Sequence, residues 1–305
     1  MIDILLATYN GEKYIAEQIE SLQNQTYKNI RILIRDDNST DRTLEIINEM
    51  MLKYDNIKLI IDDKKCGSPQ KNFIEILKHT TADYVMFCDQ DDIWLENKVE
   101  ISYKAIKKYD YLPAMASTDF YLVDENLNHL PKKGLQTNKK TTDFSTLLVD
   151  NCYMGCTLIL NKKLYSLVDD IPTECLMHDI WFALLASSMG KIINVDEKCM
   201  LYRQHANNCV GGKSIYSISY IIDRMIDRNT KNNFKILVKQ AQEFAKKYYT
   251  YLSDQNKKIL KTFINIYRYN RFKRIYYIFK YNLKKRGLHR LLGEIIYLFI
   301  EGKEK

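Results

Sequence analysis

Short apolar runs alternate with helical stripes through the first hundred residues of the chain. Apolar runs at residues 2–7, 30–35, 57–61 and 84–88 predict four strands, most of which end at a cluster of polar residues. Apolar residues at helical spacing predict three intervening helices, over residues 12–24, 44–51 and 73–77, the second of them capped by Ser39 or Thr40. Strand–helix repeats of about 25–30 residues imply right-handed crossovers and a mostly parallel sheet.

The pattern after residue 113 is less regular. Strand signals occur at residues 114–117, 120–123 and 157–160, and a polar, basic loop is expected over residues 131–142. A helix is predicted over residues 180–187, just after His178 and Asp179. From residue 214 onward the pattern is helical, with few glycines and many tyrosines.

Composition limits the class of protein. With 305 residues, of which 46% are hydrophobic, the chain can bury a large core without disulfides. Its seven cysteines lack C-x-x-C spacing, which favours reduced thiols in a cytoplasmic protein. The first residues lack the features of a signal peptide, and no run of about 18 apolar residues predicts a membrane-spanning helix.

The net charge of +8 is divided unevenly along the chain. Residues 255–305 carry 14 lysines and arginines against three acidic residues, whereas residues 1–254 have a net charge of −3. In the basic part, aromatic residues are interleaved with the cations, and Phe272, Ile275, Tyr276 and Phe279 fall at helical spacing, with Lys273, Arg274 and Lys280 elsewhere around the helix. This pattern is typical of a helix on an anionic membrane surface. Packing against the rest of the chain, oligomerisation and nucleic-acid binding are the alternatives.

Acidic clusters follow two of the predicted strands. Carboxyl ends of parallel strands share one edge of a sheet, so residues 8–10, 36–37 and 89–92 are expected to meet there. The three carboxylates in residues 89–92 suit Mg²⁺ or Mn²⁺, although a solvated turn in which Asp92 caps a helix would have the same sequence. Asp36 and Asp37 could contact a nucleotide or form an ordinary turn. No glycine-rich phosphate loop is present, which disfavours dehydrogenases and P-loop NTPases.

Two further segments could carry chemistry. Asp179 stands at a predicted helix N-terminus, where the helix dipole favours the carboxylate form that a general base needs. An ordinary N-cap would look the same. His205 follows a strand signal and is either structural or a ligand.

Five segments together resemble the family 2 glycosyltransferases, which are inverting nucleotide-sugar enzymes with the GT-A fold. The matching segments are LLATYN (residues 5–10), RDDNSTD (35–41), FCDQDDIW (87–94), MHDIW (177–181) and YRQH (202–205). Within the family, they look most like bacterial rhamnosyltransferases of rhamnose-rich cell-wall polysaccharides. The resemblance implies an α/β GT-A catalytic domain over residues 1–210, followed by a helical, basic and aromatic region over residues 211–305.

The resemblance also implies a role for each matching position. Tyr9 and Asp37 correspond to contacts with the nucleotide base, with the backbone near Ala7 closing the same pocket, and Lys71 to a contact with the diphosphate. The DxD-type motif spans Asp89, Gln90 and Asp91, with Asp91 as a metal ligand and Asp89 serving the ribose or the waters of the metal. Asp179 corresponds to the catalytic base, and His205 to a further metal or diphosphate contact. The QxxRW motif of processive members is absent.

The implied reaction is a single displacement that needs Mg²⁺ or Mn²⁺. The expected donor is dTDP-L-rhamnose, with a UDP-hexose as the alternative, and the expected acceptor is a lipid-linked saccharide at the inner face of the cell membrane. A nucleic-acid-binding protein is disfavoured because the acidic clusters lie on a body of net charge −3 without a recognisable binding module. The donor sugar, the acceptor linkage and the oligomeric state stay open at this point.

Overall fold

The computed structural model describes residues 1–131, 140–172, 175–205 and 228–301. The chain forms two compact units, each built from separate stretches of sequence. The first unit comprises residues 1–132, 153–171 and 190–212, and the second comprises residues 133–152, 172–189 and 213–305. This division by packing differs from a single boundary at residue 210, which itself lies outside the described residues.

The first unit is built on one eight-stranded sheet. Its strands are β1 Ile2–Thr8, β2 Ile30–Asp36, β3 Ile57–Ile60, β4 Tyr84–Cys88, β5 Ile93–Trp94, β6 Ala114–Val123, β7 Leu158–Asn161 and β8 Lys191–Arg203. The order across the sheet is β3-β2-β1-β4-β7-β6-β8-β5. Strands β1 to β4 are parallel to one another, as the alternating pattern predicts, whereas β7 is antiparallel to both of its neighbours.

The helices of this unit pack their apolar side chains against the sheet. Its helices are α1 Ile15–Gln23, α2 Thr43–Lys53, α3 Pro69–Leu77, α4 Lys98–Ile106 and the short α6 Lys162–Tyr165. Every residue of β1 and of β4 is buried, which explains why these strands appear as continuous apolar runs. The α/β fold of the GT-A type expected from the sequence is confirmed, with a sheet that is mixed beyond β4.

The second unit is helical. Its helices are α5 Phe144–Leu147, α7 His178–Met189, α8 Arg228–Tyr248, α9 Asp254–Ile264, α10 Arg271–Lys280 and α11 Leu288–Ile300. Aromatic rings form much of its core: Trp181 packs on Phe244 with 5.5 Å between ring centroids, and Phe234 packs on Phe263 at 5.6 Å. Trp181 is fully buried, so it is a core residue of this unit.

Some local predictions were wrong for physical reasons. The two strand signals at residues 114–117 and 120–123 belong to one strand, β6, whose pairing with β8 is irregular around Asp119. Neither Ser39 nor Thr40 caps α2, because that helix begins only at Thr43 and its N-cap residue is Arg42.

Among the described residues, no helix is long and apolar enough to cross a membrane. Most of the predicted loop over residues 131–142 lies outside the described residues.

Candidate active site

Three loops meet at the carboxyl edge of β1, β2 and β4. Thr8, the last residue of β1, lies opposite Asp36 in β2, and its hydroxyl donates to the Asp36 carboxylate at 2.8 Å. Gln90 follows β4 and makes two hydrogen bonds with the backbone of Tyr9: its Oε1 accepts from the Tyr9 amide at 2.9 Å, and its Nε2 donates to the Tyr9 carbonyl at 3.0 Å. The convergence predicted from the strand ends is therefore present.

A cavity of about 470 Å³ opens beside these loops. It is lined by Tyr9, Asn10, Lys13, Tyr14, Gln90, Glu125 and His205. The volume is in the range of small-molecule sites. The sequence motifs pointed to Tyr9, Gln90 and His205 but not to Lys13 and Glu125. These two residues are joined by a 2.8 Å ion pair across 112 positions of sequence, which no local pattern reveals.

The predicted metal ligands Asp91 and His205 lie side by side. The Nε2 atom of His205 is 2.8 Å from Oδ2 of Asp91, and both side chains are partly exposed. The ring of Tyr14 packs against His205, with 5.0 Å between centroids. A carboxylate oxygen and an imidazole nitrogen at this separation are a donor set suited to a divalent cation such as Mn²⁺.

Arg203 holds the turn that carries Asp91. The guanidinium of this buried residue donates from Nε to the Asp91 carbonyl at 2.9 Å and from Nη1 to the Glu125 carbonyl at 2.8 Å. It also pairs with Glu17 at 2.6 Å and lies over the Tyr14 ring. The sequence motif includes Arg203, but its positioning role emerges only when three distant segments are brought together.

A second acidic group lies deeper in the same unit. Asp89, Asp92 and Cys156 offer ligand atoms within 4.8 Å of one another. Burial, together with the Asp91 and Asp89 carboxylates, raises the pKa of Asp92 well above its usual range, and burial likewise raises the pKa of the Cys156 thiol. Sulfur is a soft ligand, whereas Mg²⁺ and Mn²⁺ prefer oxygen ligands. The pair formed by Asp91 and His205 therefore fits these cations better, with Asp89 nearby.

Asp92 does not cap the following helix. Its Oδ1 accepts from the backbone amide of Arg203 at 3.1 Å, and the side chain is buried. The adjacent Lys98 is also buried and donates from Nζ to the Cys156 carbonyl at 2.7 Å. These contacts connect the acidic turn to the end of β8 and to the chain before β7.

Ala7, Asp37 and Lys71 do not line the cavity described above. Ala7 is the penultimate residue of β1, and Lys71 is exposed in the first turn of α3. The carboxylate of Asp37 accepts from the backbone amides of Cys66 at 2.6 Å and Gly67 at 2.7 Å. In this conformation Asp37 thus orders the loop after β3.

Asp179 belongs to the second unit. It is the second residue of α7 and is 6% exposed, and its Oδ1 accepts from Asn151 Nδ2 at 3.0 Å. Burial lowers the pKa of the preceding His178 to about 3, so the imidazole is neutral at physiological pH. Asn151 was not predicted from the sequence, because no regular spacing relates it to Asp179, 28 residues later.

Known proteins resemble this chain in sequence and in fold. The sequence profile of glycosyl transferase family 2 matches residues 3–168. The chain is 31% identical over 229 residues to the dTDP-rhamnosyl transferase RfbG of Shigella flexneri, covering 70% of this chain and 76% of RfbG. It is 26% identical over 204 residues to the Escherichia coli UDP-Glc:alpha-D-GlcNAc-diphosphoundecaprenol beta-1,3-glucosyltransferase WfgD, covering 67% and 77% of the two chains.

A solved structure shares the fold over most of the chain. The mannosyltransferase PcManGT of Pyrobaculum calidifontis, solved with GDP-Man and Mn²⁺, superposes with a TM-score of 0.56 at 14% sequence identity and covers 97% of this chain and 84% of its own. At that identity the likeness concerns the fold alone. The profile match spans more than half of the chain and covers most of β1 and all of β2 and β4, whose ends lie beside the cavity, whereas the cavity residue His205 lies after it. The chain therefore belongs to glycosyl transferase family 2 and is a glycosyltransferase with the GT-A fold.

Proposed function

We propose that the protein is a metal-dependent inverting glycosyltransferase that moves L-rhamnose from dTDP-L-rhamnose to a lipid-linked saccharide in the synthesis of a cell-surface polysaccharide. The observation that carries the proposal is the Asp91–His205 pair beside a cavity bordered by Tyr9 and Gln90. The name of the Shigella flexneri relative supports rhamnose as the sugar. The name of the Escherichia coli relative supports a diphosphoundecaprenol-linked acceptor.

In this proposal the first unit holds the donor. Asp91 and His205 would hold Mg²⁺ or Mn²⁺, with Asp89 serving the ribose or the waters of the metal. When bound, the cation would offset the negative charge that develops on the leaving diphosphate. Tyr9 and Asp37 would contact the nucleotide base, and the backbone near Ala7 would close the same pocket. Gln90 would keep the Tyr9 loop in place. Lys71 would place a positive charge near the diphosphate.

Asp179 is the proposed general base. Its carboxylate would take the proton from the acceptor hydroxyl while that oxygen attacks the anomeric carbon from the face opposite the diphosphate. The bond to the diphosphate breaks as the new glycosidic bond forms, so the configuration inverts. A β-linked dTDP-L-rhamnose would give an α-linked rhamnose.

Two substitutions test the two halves of the proposal. Asp179→Asn should lower transfer by at least about a thousandfold while calorimetry shows unchanged binding of dTDP-rhamnose, because the base acts only on the acceptor. Asp91→Ala should weaken Mn²⁺-dependent donor binding. Asp254→Asn and Asp196→Ala, at exposed aspartates, serve as matched controls. Transfer that persists in Asp179→Asn would remove this residue from the base role.

A donor screen tests the sugar. It measures release of the nucleoside diphosphate from dTDP-L-rhamnose, UDP-glucose and UDP-galactose, with Mg²⁺ or Mn²⁺ and GlcNAc-diphosphoundecaprenol. The proposal predicts that dTDP-L-rhamnose is turned over fastest. Faster turnover of a UDP-hexose would favour the second candidate, the same chemistry with a UDP-hexose donor, which the name of WfgD suggests.

We further propose that the second unit attaches to an anionic membrane surface at the inner face of the cell membrane. Helices α10 and α11 expose apolar residues at helical spacing, and we call this set the apolar surface: Phe272, Tyr276, Phe279, Leu288, Leu292, Ile296, Phe299 and Ile300. Phe272 is 77% exposed, and its ring lies 6.1 Å from that of Phe299 on the neighbouring helix. An exposed aromatic surface of this kind is costly in water but suits the interface of a lipid bilayer.

Cations border this surface. Arg271 lies over the Phe299 ring, Lys280 over the Tyr276 ring and Lys284 over the Phe279 ring, at 5.2 to 5.6 Å. Each basic residue near anionic lipid contributes about 1 kcal/mol. Sedimentation with phosphatidylglycerol vesicles should therefore be strong at low salt and weak at 0.5 M salt. No sedimentation at low salt would reject this attachment.

A further inference from the structure

The carboxylate of Asp179 is held by two donors on the same oxygen. Oδ1 accepts from the side-chain amide of Asn151 at 3.0 Å and from the backbone amide of Ile180 at 2.6 Å. The second donor belongs to the same helix, but the first comes from a segment 28 residues earlier in the chain. Asn151 therefore contacts Asp179 from outside its helix.

The segment that carries Asn151 is itself anchored by the C-terminal part of the chain. The neighbouring Asp150 has a fully buried side chain, and its Oδ2 accepts from the backbone amide of Arg286 at 3.0 Å and from Arg286 Nε at 2.7 Å. Arg286 Nη2 also donates to the Asn151 carbonyl at 3.4 Å. Arg290 approaches Asp150 Oδ1 to 2.6 Å, as an ion pair without the alignment of a hydrogen bond.

Arg286 is in turn fixed by the start of helix α11. The backbone amide of the preceding Lys285 donates to the buried Glu294 carboxyl group at 2.9 Å, and α11 begins directly after Gly287. A continuous chain of contacts thus runs from α11 through Arg286 and Asp150 to Asn151. Asp150 is buried and the side chain of Arg286 is only partly exposed, so removing Arg286 would cost stability by leaving the Asp150 carboxylate buried without this partner.

We propose that Asn151 is a positioning residue for the catalytic base Asp179, and that the C-terminal segment containing Arg286 holds Asn151 in that role. The inference rests on the proposed function, since it assumes that Asp179 is the base. A donor to a carboxylate stabilises its ionised form and restricts its rotation, and both effects serve a group that must accept a proton in one direction. The C-terminal region then contributes to the chemistry as well as to membrane attachment.

The titratable side chains beside Asp179 simplify a pH experiment. Among the described residues, His178 is neutral because burial lowers its pKa to about 3, and burial raises the pKa of the Cys175 thiol, which therefore keeps its proton. Neither group changes charge between pH 5 and 8. When Mn²⁺ and donor are saturating, so that Asp91 and His205 stay in the metal site, the acid limb of a profile of kcat against pH is expected to report the ionisation of Asp179.

Two substitutions at Asn151 and one control test the inference with dTDP-L-rhamnose and GlcNAc-diphosphoundecaprenol. Asn151→Ala removes the donor and should lower kcat about ten- to a hundredfold with little change in donor binding, and should move the acid limb to higher pH. Asn151→Asp keeps the shape but places a negative charge beside Asp179, so it should lower kcat further and move the acid limb further. Asn265→Ala removes a hydrogen bond to the Lys261 carbonyl in the same unit and should change neither kcat nor the acid limb.

Which of the two Asn151 variants loses more activity distinguishes a positioning role from a structural one. A structural role would make the isosteric Asn151→Asp milder than Asn151→Ala, and that order with an unmoved acid limb would overturn the inference. Should Asn151→Ala fail to fold, the pH profile of Asn151→Asp alone decides. If Asp179→Asn retains transfer, the proposed base is wrong; if Asp179→Asn is inactive but the acid limb of Asn151→Asp is unmoved, only the role of Asn151 is wrong.

Discussion

At Gly11, a side chain would collide with the residue that joins two loops of the active site. A Cβ atom there would lie 2.3 Å from Gln90 Oε1 and 2.6 Å from Gln90 Cδ. Gln90 can move only by losing its two hydrogen bonds with the Tyr9 backbone. We therefore expect Gly11→Ala to weaken binding of dTDP-L-rhamnose by up to about thirtyfold, as measured by calorimetry, since two lost hydrogen bonds at about 1 kcal/mol each cost about 2 kcal/mol.

Gly293 provides the matched control for this substitution. A Cβ atom there would meet nothing within 4 Å, and the residue lies inside helix α11. Gly293→Ala should leave donor binding unchanged and raise the free energy of unfolding by about 0.5 to 1 kcal/mol, because alanine is the better helix former. Donor binding of wild-type strength in Gly11→Ala would show that Gln90 does not set the shape of the site.

Single residues show which parts of the site a sequence can reveal. Tyr9 directly follows β1, and Gln90 and Asp91 come just after the end of β4, so the strand pattern alone places them at one sheet edge. Arg203 and Asn151 act through partners that are 28 to 186 positions away, and hydrophobic periodicity contains no information about such pairs. Asp37, a predicted nucleotide contact, also accepts from the Cys66 and Gly67 amides, and these bonds depend on a loop conformation that no pattern describes.

At the scale of elements, helices α10 and α11 are joined by a buried arginine. Arg274 was expected among the basic residues around α10, yet it is fully buried and donates to four backbone carbonyls, at Tyr267, Tyr269, Leu298 and Glu301, over 2.7 to 3.0 Å. The helical spacing of α10 was predicted, but the partner that covers one side of it was not. Burial of Arg274 therefore removes one cation from the membrane-facing set.

Replacing Arg274 should separate the two helices. Arg274→Met keeps most of the apolar stem but leaves buried carbonyls without their donor, so the free energy of unfolding should fall by about 3 kcal/mol. Urea unfolding measures this quantity. Arg271→Met, at an exposed position of the same helix, should change it by less than about 0.5 kcal/mol. Equal effects of the two variants would contradict the bridging role of Arg274.

Helix α11 also contains a buried carboxyl group. Burial raises the pKa of Glu294 from 4.5 to about 7. In the unfolded chain the group loses its proton near pH 4.5, whereas the folded protein keeps it until about pH 7. The contribution of Glu294 to the free energy of unfolding is thus greatest below pH 4.5. It falls by about 3 kcal/mol as the pH rises to 7, at 1.36 kcal/mol per pH unit.

Glu294→Gln removes this pH dependence because glutamine cannot ionise. The variant should be more stable than the wild type at pH 8, and the difference should shrink as the pH falls toward 4.5. Urea unfolding at several pH values measures the difference, and Glu197→Gln, at an exposed position, is the control. A stability difference that is the same at pH 5 and pH 8 would show that Glu294 ionises normally in the folded protein.

At the scale of the whole molecule, the units do not follow the chain order. Residues 133–152 and 172–189 belong to the second unit although they interrupt the segments of the first. The sequence indicated an acidic body and a basic end, with one boundary along the chain, and that division stays a prediction. The sequence could not indicate that Asp179 lies in the same unit as the C-terminal helices, because that grouping depends on aromatic contacts such as that of Trp181 with Phe244.

Membrane attachment and transfer chemistry should be separable in the intact protein. Phe272→Glu combined with Phe279→Glu places two negative charges on the exposed apolar surface, where anionic lipid repels them. Transfer to GlcNAc-diphosphoundecaprenol in phosphatidylglycerol vesicles should then fall about ten- to a hundredfold, at about 1 kcal/mol per charge, while transfer to a water-soluble short-chain analogue stays at the wild-type rate. Tyr251→Glu, at an exposed aromatic of the same unit, should leave both rates unchanged. An equal loss on both acceptors would mean that the surface supports the fold and does not bind the membrane.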